Sequence, residues 1–285
     1  MTNILEKIIA HKQTEIAILD AQALRRATES SPAPRDFLYA ISPGPTGPGM
    51  GVKEGRFNQH PRLIAEIKRA SPSKGILAPN LDLFQVTDIY TENGASAISV
   101  LTDEKFFMGK LKTLRELRFR RESKLPLLRK DFIIDEVQLY ESRVNGADAI
   151  LLIASALPDD KHFADLHAIS FELGLTALVE VHNEVETERA LRLKDVHLIG
   201  INNRDLATFK VSLETTVRIR PMIPDYITVV AESGIFTASD VERLARANVD
   251  GILVGEALIT SDDIGAKVRE LSGVTIPSPS RRGLR

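Results

Sequence analysis

The feature that most constrains the fold is a regular alternation of short β-rich runs with helical segments from residue 63 onward. The intervening segments carry helix-start signals, namely Asp135-x-x-Gln138, Asn183-x-x-Glu186 and Thr237-x-x-Asp240. Strands that alternate with helices form parallel βαβ units. The predicted strands cover residues 63–68, 97–101, 125–130, 149–154, 177–182, 198–202, 228–231 and 251–254.

A weak internal repeat indicates how these units are arranged. The segment Asn-Gly-Ala-Ser-Ala-Ile at 93–98 recurs as Asn-Gly-Ala-Asp-Ala-Ile at 145–150, 52 residues later, and in degenerate form at 248–252. An Asn-Gly pair ends a helix in the left-handed conformation, and the next buried strand follows it. The spacing corresponds to two βα units of about 26 residues each. Eight such units predict a single (β/α)8 barrel, the TIM-barrel fold, and a doubly wound open sheet is the alternative.

The two ends of the chain lie outside this alternation. Residues 3–28 have helical periodicity, whereas prolines and glycines in 42–61 predict a flexible loop. We therefore expect an N-terminal helical extension with a Gly/Pro-rich loop (1–62), the barrel (63–274) and a flexible C-terminal tail (275–285). The loop could act as a lid, but a tolerated insertion is the favoured interpretation.

Composition excludes several classes of function. The 285 residues include no cysteine, which rules out disulfides, thiolate metal sites and cysteine nucleophiles. A net charge of −2 gives no global bias toward nucleic acid or an anionic membrane. The N-terminus lacks a signal-peptide pattern, and no apolar stretch approaches the roughly 20 residues of a membrane helix. We expect a cytoplasmic protein.

Charged residues are concentrated at the C-terminal ends of the predicted strands, where barrel enzymes have their active sites. Strand one ends in Glu66 and Lys68, which share one face because side chains alternate along a strand. Strand three ends in Lys130 and strand five in Glu180. Partial burial beside an opposite charge can bring the pKa of either residue toward neutrality, so both are candidates for acid–base catalysis. Glu180 and His182 could instead bind a metal, but no further histidine lies at a strand end, and we expect no metal or cofactor.

The ends of strands seven and eight carry a pattern typical of phosphate binding. Ser233 and Gly234 follow strand seven, and Gly255 and Glu256 follow strand eight. Phosphate sites in barrels commonly form from these two loops. Glycine lets backbone N–H groups approach the anion, and a helix N-terminus favours its charge. We therefore predict a small phosphorylated ligand, with two ordinary turns as the alternative.

Seven segments together resemble the indole-3-glycerol phosphate synthase family. The resemblance covers nearly the whole chain, except the Gly/Pro-rich insertion and the tail after residue 274. The segments are ILEKI at 4–8, EIKRASPSKG at 66–75, LTDEKFF at 101–107, LRKDFII at 128–134, Glu180, GINNRDL at 200–206 and AESGI at 231–235.

The resemblance implies an enzyme of tryptophan biosynthesis. Such an enzyme converts 1-(2-carboxyphenylamino)-1-deoxyribulose 5-phosphate into indole-3-glycerol phosphate, carbon dioxide and water. It implies that Lys130 is the general acid of ring closure, and that Glu180, assisted by Glu66, is the acid and base of dehydration. Lys68 would meet the substrate carboxylate, and Asn202 would orient the reacting groups.

The resemblance also implies residues that bind the substrate. Phe107 and Phe132 would sandwich the anthranilate ring, and Arg204 would support the charges of the site. Ser71 and Lys74 would lie on a mobile loop that closes over the substrate.

Other functions and partners stay open at this point. We expect a monomer that binds a small phosphorylated substrate, with a weak homo-oligomer as the alternative. A related barrel such as phosphoribosylanthranilate isomerase would share the phosphate loops, but it conventionally uses a cysteine, which is absent here. A non-catalytic phosphate-binding barrel would not need Lys130 or Glu180.

Overall fold

The computed structural model describes residues 4–42, 60–68, 70–71, 75–76, 82–119, 124–205 and 210–275. Within these residues eight parallel strands close into one barrel, in which each strand pairs with its neighbours along the chain and the last pairs with the first. The strands are β1 (Arg62–Ile67), β2 (Ala97–Leu101), β3 (Leu127–Lys130), β4 (Ala149–Ile153), β5 (Thr176–Val181), β6 (Leu198–Asn202), β7 (Thr228–Glu232) and β8 (Gly251–Val254).

The predicted (β/α)8 barrel is therefore confirmed, and the open sheet is excluded. Every predicted strand is present within two residues at each end. A short antiparallel pair, Ala70–Ser71 with Gly75–Ile76, follows β1.

Helices of the extension and of the outer layer complete the described fold. The helices are α1 (Ile4–Ile16), α2 (Ala21–Thr28), α3 (Phe37–Ile41), α4 (Leu83–Glu92), α5 (Glu104–Phe107), α6 (Leu111–Phe119), α7 (Glu136–Val144), α8 (Asp160–Glu172), α9 (Glu184–Leu191), α10 (Glu214–Ile219), α11 (Ala238–Arg246), α12 (Glu256–Ile259) and α13 (Ile264–Ser272). Short 3₁₀ turns occupy Ala154–Ala156 and Arg220–Met222.

The predicted helix-start signals act as caps. Asp135 and Gln138 form a reciprocal capping box at α7, and Thr237 and Asp240 form one at α11. Asn183 accepts a hydrogen bond from the backbone of the third residue of α9. These caps satisfy N–H groups that a helix start would otherwise leave without partners, so each βα turn is fixed by local sequence.

The N-terminal extension differs from the single helical pattern expected over 3–28. The chain forms two helices there, because Asp20 begins a new helix by accepting a hydrogen bond from the backbone N–H of Ala23 at 2.9 Å. The third helix, α3, was not predicted. Its Phe37 and Ile41 are fully buried and pack with apolar side chains from the inner faces of the strands.

Parts of the predicted domain division lie outside the described residues. These are residues 43–59 of the Gly/Pro-rich loop and residues 276–285 of the tail. The loop after β1 is described only at 70–71 and 75–76. In the described part of the chain, no helix is both long enough and apolar enough to cross a membrane.

Candidate active site

One cavity at the C-terminal end of the barrel collects twelve of the fourteen residues that the sequence singled out. They meet there because parallel barrel strands present all their C-terminal ends to the same rim. The twelve are Glu66, Lys68, Phe107, Lys130, Phe132, Glu180, Asn202, Arg204, Ser233, Gly234, Gly255 and Glu256. The remaining two are Ser71 and Lys74. Ser71 lies in the short strand pair after β1, but its side chain is not among those described. Lys74 lies outside the described residues.

Lys130 occupies the centre of this cavity. It is the last residue of β3 and lies in phase with Leu128, which belongs to the inner core of the barrel. Its Nζ donates a hydrogen bond to Glu180 Oε2 at 3.1 Å and a second to Glu232 Oε2. Burial disfavours the ammonium, but Glu232, Glu180 and Glu66 outweigh burial and raise the pKa of Lys130. The side chain is therefore a protonated donor at neutral pH.

The two carboxylates that share this ammonium are not equivalent. Burial disfavours the charge on Glu180, but Lys130 and His182 outweigh it and lower the pKa of Glu180. For Glu232, burial together with repulsion from Glu180 exceeds the effect of Lys130 and raises its pKa to about 7. The pair therefore holds its charge on Glu180 and an exchangeable proton on Glu232.

These shifts correct one sequence-based expectation. The pKa values of Lys130 and Glu180 move away from neutrality, not toward it, because each residue has a close opposite charge. Glu232 titrates near neutral pH instead, whereas the sequence placed it at the end of strand seven without giving it a role. The predicted seventh strand stopped at 231, just before Glu232. In the structure β7 continues through residue 232. Because side chains alternate along a strand, Glu232 lies on the same face as Val230, whose side chain belongs to the inner core.

The end of β1 supplies a second ion pair to the cavity. Lys68 Nζ lies 3.0 Å from Oε1 of Glu66, and the Glu66 side chain is almost fully buried. A Cβ atom at Gly255 would lie 2.6 Å from the same oxygen. Only a glycine at 255 leaves room for Glu66 in this position.

Consecutive residues at the end of β6 have different partners. The Asn202 side chain contacts Glu180, and its Oδ1 accepts a hydrogen bond from the Arg204 backbone at 3.0 Å. The Asn203 side chain is buried and connects Thr216 of α10 with the carbonyl of Ser233. Asn202 therefore belongs to the cavity, whereas Asn203 fixes the loop against its neighbours.

The aromatic side of the cavity differs from the expected sandwich. The rings of Phe107 and Phe132 have centroids 6.1 Å apart and are tilted by 36°. A third ring between them needs about 7 Å, which is twice a van der Waals contact between carbons. The two phenylalanines thus form one wall in this structure, against which an aromatic ring can lie.

The sequence did not predict that the first helix also lines the cavity. Ile4, Leu5 and Ile8 of α1 contribute to its apolar surface. Lys12 holds this helix in place, since its buried Nζ lies 2.9 Å from Asp103 and 2.8 Å from Asp131, which follow β2 and β3. No local pattern predicts these contacts.

The residues proposed to bind phosphate lie at the ends of two paired strands. Ser233 and Gly234 both have positive φ, at 66° and 78°, so the chain turns sharply after β7. A Cβ atom at Gly234 would lie 2.5 Å from Val211 Cγ1. β7 and β8 pair in parallel register, with Glu232 opposite Leu253, which brings this turn beside Gly255.

The described residues contain no group of three or more His, Cys, Asp and Glu side chains that could hold a metal ion. His182, which the sequence considered as a ligand beside Glu180, instead lies between two glutamates. Its Nε2 is 3.2 Å from Glu180 Oε1, and its Nδ1 is 3.0 Å from Glu186 Oε2.

The family model and the relatives that match this chain carry the same description. A family model described as indole-3-glycerol phosphate synthase matches residues 5–271. An indole-3-glycerol phosphate synthase from Roseiflexus sp. (strain RS-1) is 48% identical over 284 residues, which cover 96% of this chain and 99% of that protein. An indole-3-glycerol phosphate synthase from Dehalococcoides mccartyi (strain ATCC BAA-2266 / KCTC 15142 / 195) is 55% identical over 211 residues, covering 74% of this chain and 81% of that protein.

Solved structures at low identity support the fold alone. A 3-hexulose-6-phosphate synthase from Salmonella typhimurium superposes with a TM-score of 0.60 at 13% identity, over 74% of this chain and 97% of its own. A mutant tryptophan synthase α-subunit from Pyrococcus furiosus superposes with a TM-score of 0.53 at 15% identity, over 75% of this chain and 98% of its own.

Proposed function

Because the chain belongs to the indole-3-glycerol phosphate synthase family, we propose that it is a carboxy-lyase of tryptophan biosynthesis. It converts 1-(2-carboxyphenylamino)-1-deoxyribulose 5-phosphate into indole-3-glycerol phosphate, carbon dioxide and water. The observation that carries this proposal is the ammonium of Lys130 between the two buried carboxylates, Glu180 and Glu232, in a cavity with an aromatic wall.

Ring closure comes first and needs a proton donor. The aromatic carbon that bears the carboxylate attacks the ketone carbon, and the carbonyl electron pair moves to its oxygen. Lys130 protonates that oxygen, which becomes a hydroxyl group. Glu232 holds a proton near neutral pH and contacts Lys130 Nζ, so it can return the proton that the ammonium has donated.

Decarboxylation and dehydration follow. The bond to the carboxylate breaks as carbon dioxide, and its electron pair restores the aromatic ring. The hydroxyl group then leaves as water with one proton, while the adjacent carbon loses one proton to a base. Glu180 serves as acid and base in this step, with Glu66 assisting. Two protons are donated and one is taken back, so each turnover consumes one proton from solvent.

The remaining residues bind and orient the substrate. Lys68, which is tied to Glu66, meets the substrate carboxylate, and Asn202 orients the reacting groups beside Glu180. The anthranilate ring lies along Phe107 and Phe132. Arg204 supports the charges of the site.

We propose that the phosphate lies against the backbone of Ser233, Gly234, Gly255 and Glu256, at the opposite side of the cavity from the aromatic wall. The sharp turn after β7 and the absence of side chains at the two glycines support this location. Ser71 and Lys74 would close over the bound substrate. We further infer a cytoplasmic monomer, and sedimentation of the purified protein tests its oligomeric state.

The decisive test is the appearance of indole absorbance and fluorescence when the protein is mixed with the carboxyphenylamino-deoxyribulose phosphate. Lys130→Ala should lower the single-turnover rate by about a hundredfold or more, because the proton donor is lost. Lys161→Ala is the matched control, since Lys161 is an exposed residue on α8 whose partner is Asp165. A wild-type protein that forms no indole product would contradict the proposed function, and a fully active Lys130→Ala variant would remove Lys130 from it.

A further inference from the structure

His182 is fixed in place between two carboxylates, only one of which belongs to the reacting trio. Glu186 Oε2 accepts one hydrogen bond from the His182 backbone N–H at 2.8 Å and contacts the ring Nδ1 at 3.0 Å. Asn183 Nδ2 donates to Glu186 Oε1 at 2.8 Å, while Asn183 Oδ1 caps α9. The start of α9 thus orients Glu186, and Glu186 orients the imidazole ring toward Glu180.

This placement requires a charged ring. Both ring nitrogens face carboxylate oxygens, so a neutral imidazole would direct a lone pair at one of them. Burial disfavours the imidazolium, but Glu180 and Glu186 outweigh it and raise the pKa of His182 to about 10. The Nε2–Oε1 approach to Glu180 is not aligned as a hydrogen bond, so this contact is chiefly an ion pair. The other acidic residue in the first turn of α9, Glu184, forms an exposed ion pair with Arg218.

The position of His182 separates the roles of the two buried carboxylates. Lys130 contacts both Glu180 and Glu232. Lys130 therefore does not by itself direct the negative charge to Glu180. Among the described residues, the cations that contact Glu180 are Lys130 and His182, and His182 pairs with Glu180 and not with Glu232. The Asn202 amide, which adds no charge, completes the surroundings of Glu180.

We propose that His182 is a positioning residue that acts through Glu180: held by Glu186 as an imidazolium, it keeps Glu180 in the carboxylate form and leaves the exchangeable proton of the pair on Glu232. This inference rests on the proposed function, since it explains how Glu180 is available as the base of the dehydration step. It also explains why Glu186, which does not line the cavity, is attached so closely to its edge.

The first test is the pH profile of kcat in His182→Gln. An opposite charge within about 4–6 Å lowers a carboxyl pKa by about 1–3 units, so the acidic limb should move upward by about one pH unit or more. The variant should therefore lose kcat toward the acidic end of its profile, where Glu180 becomes protonated, and recover at higher pH. His182→Lys, which retains a cation, should restore much of the wild-type profile. The matched control is His167→Gln, since His167 is a buried histidine on α8 outside the cavity, and its profile should stay unchanged. A His182→Gln profile parallel to that of the wild type would overturn the proposal.

A second test does not depend on turnover. Nitrogen-15 spectra of the histidine rings should show His182 as an imidazolium throughout pH 6–9, and Glu186→Gln should move its titration to lower pH. Carbon-13 spectra of the glutamate carboxyl groups should show that Glu180 titrates at higher pH in His182→Gln than in the wild type. A neutral His182 ring at pH 7.5, or an unmoved Glu180 titration, contradicts the role of His182 even if the enzyme forms indole product. If no indole product forms but both titrations behave as stated, the proposed function fails and the electrostatic pairing stands.

Discussion

Two consecutive residues of β3 belong to two different clusters of buried charges. Arg129 faces the helical layer, where it pairs with Asp131 at 3.1 Å and Glu141 at 2.8 Å. Lys130 faces the inside of the barrel and pairs with Glu180 and Glu232. We call the first group, together with Lys12, Asp103 and Thr102, the outer cluster, and Lys130 with its two glutamates the inner cluster.

The central carboxylate of the outer cluster, Asp131, contacts two cations, Lys12 and Arg129. Asp131 Oδ1 contacts Lys12, and its Oδ2 accepts hydrogen bonds from Arg129 and from Thr102 Oγ1. Burial disfavours the Asp131 carboxylate, but Arg129 and Lys12 outweigh it and lower its pKa. A buried charge with such partners is satisfied, and the arrangement stabilises one conformation, with α1 placed over the cavity.

In the inner cluster, by contrast, one ammonium lies between two carboxylates, Glu180 and Glu232. Glu232 Oε1 is buried and has no hydrogen-bond partner among the described residues. The pKa of Glu232 rises to about 7 as a result of burial and the neighbouring Glu180. The comparison shows that a buried carboxylate with two cations stays ionised and holds structure, whereas two carboxylates that share one cation keep a proton that can move at neutral pH.

The largest expected effect lies in the outer cluster. Lys12→Met leaves two buried carboxylates without their shared ammonium, and breaking a buried pair in this way costs about 3–5 kcal/mol of unfolding free energy. Denaturant unfolding measures the loss, and Lys161→Met on the surface should change stability by less than about 0.5 kcal/mol. A Lys12→Met protein as stable as the wild type would show that the outer cluster does not hold α1.

In the inner cluster, Glu180→Gln should affect chemistry more than substrate binding. The amide keeps the shape of the side chain but cannot exchange a proton, so dehydration should slow by about a hundredfold while substrate affinity is retained. Single-turnover kinetics with a separate binding measurement distinguish the two. If affinity collapses while the chemical rate survives, Glu180 is a binding residue.

The turn after β7 tests whether the cavity has a phosphate end. Gly234→Val introduces a side chain at positive φ and against Val211, so it should raise KM about tenfold or more and weaken competitive inhibition by inorganic phosphate. Gly174→Val is a matched control, because Gly174 also has positive φ but lies between α8 and β5, at the opposite end of the barrel. Equal effects of the two variants on KM would place the phosphate elsewhere.

The smallest expected effect sharpens the contrast in pKa. A free glutamate titrates near 4.3, whereas folded Glu232 keeps its proton up to about 7. Between these values the unfolded chain loses the proton first, so the contribution of Glu232 to stability falls as pH rises. Glu232→Gln should therefore gain melting temperature relative to the wild type between pH 4.5 and 7.5. Glu180 titrates below this window.

The control for this measurement is Glu172→Gln, which removes an exposed carboxylate at the end of α8. Its melting temperature should follow that of the wild type at every pH. A constant difference between Glu232→Gln and the wild type across the window would mean that Glu232 is ionised throughout.

Local sequence determined most of the barrel and much of its cavity. Short apolar β-rich runs, capping residues and Asn-Gly helix ends are short-range signals, so the strand positions and the capping boxes at α7 and α11 were predictable. Parallel strands end at one rim, so residues at the strand ends could be assigned to one site without knowing any contact. This is why Lys130, Glu180 and Gly234 were identified together.

Only the tertiary structure decided the charge states and the closure of the site. The ion pair of Lys12 with Asp131 joins α1 to the end of β3, and Phe37 packs with apolar side chains from the inner faces of the strands, although neither position has a local signal for its partner. The role of Glu232 could be assigned only from the structure, in which β7 extends through residue 232 and its side chain contacts Lys130. The pKa values depend on burial and on charges from four different strands, β1, β3, β5 and β7, and no spacing along the chain encodes those distances.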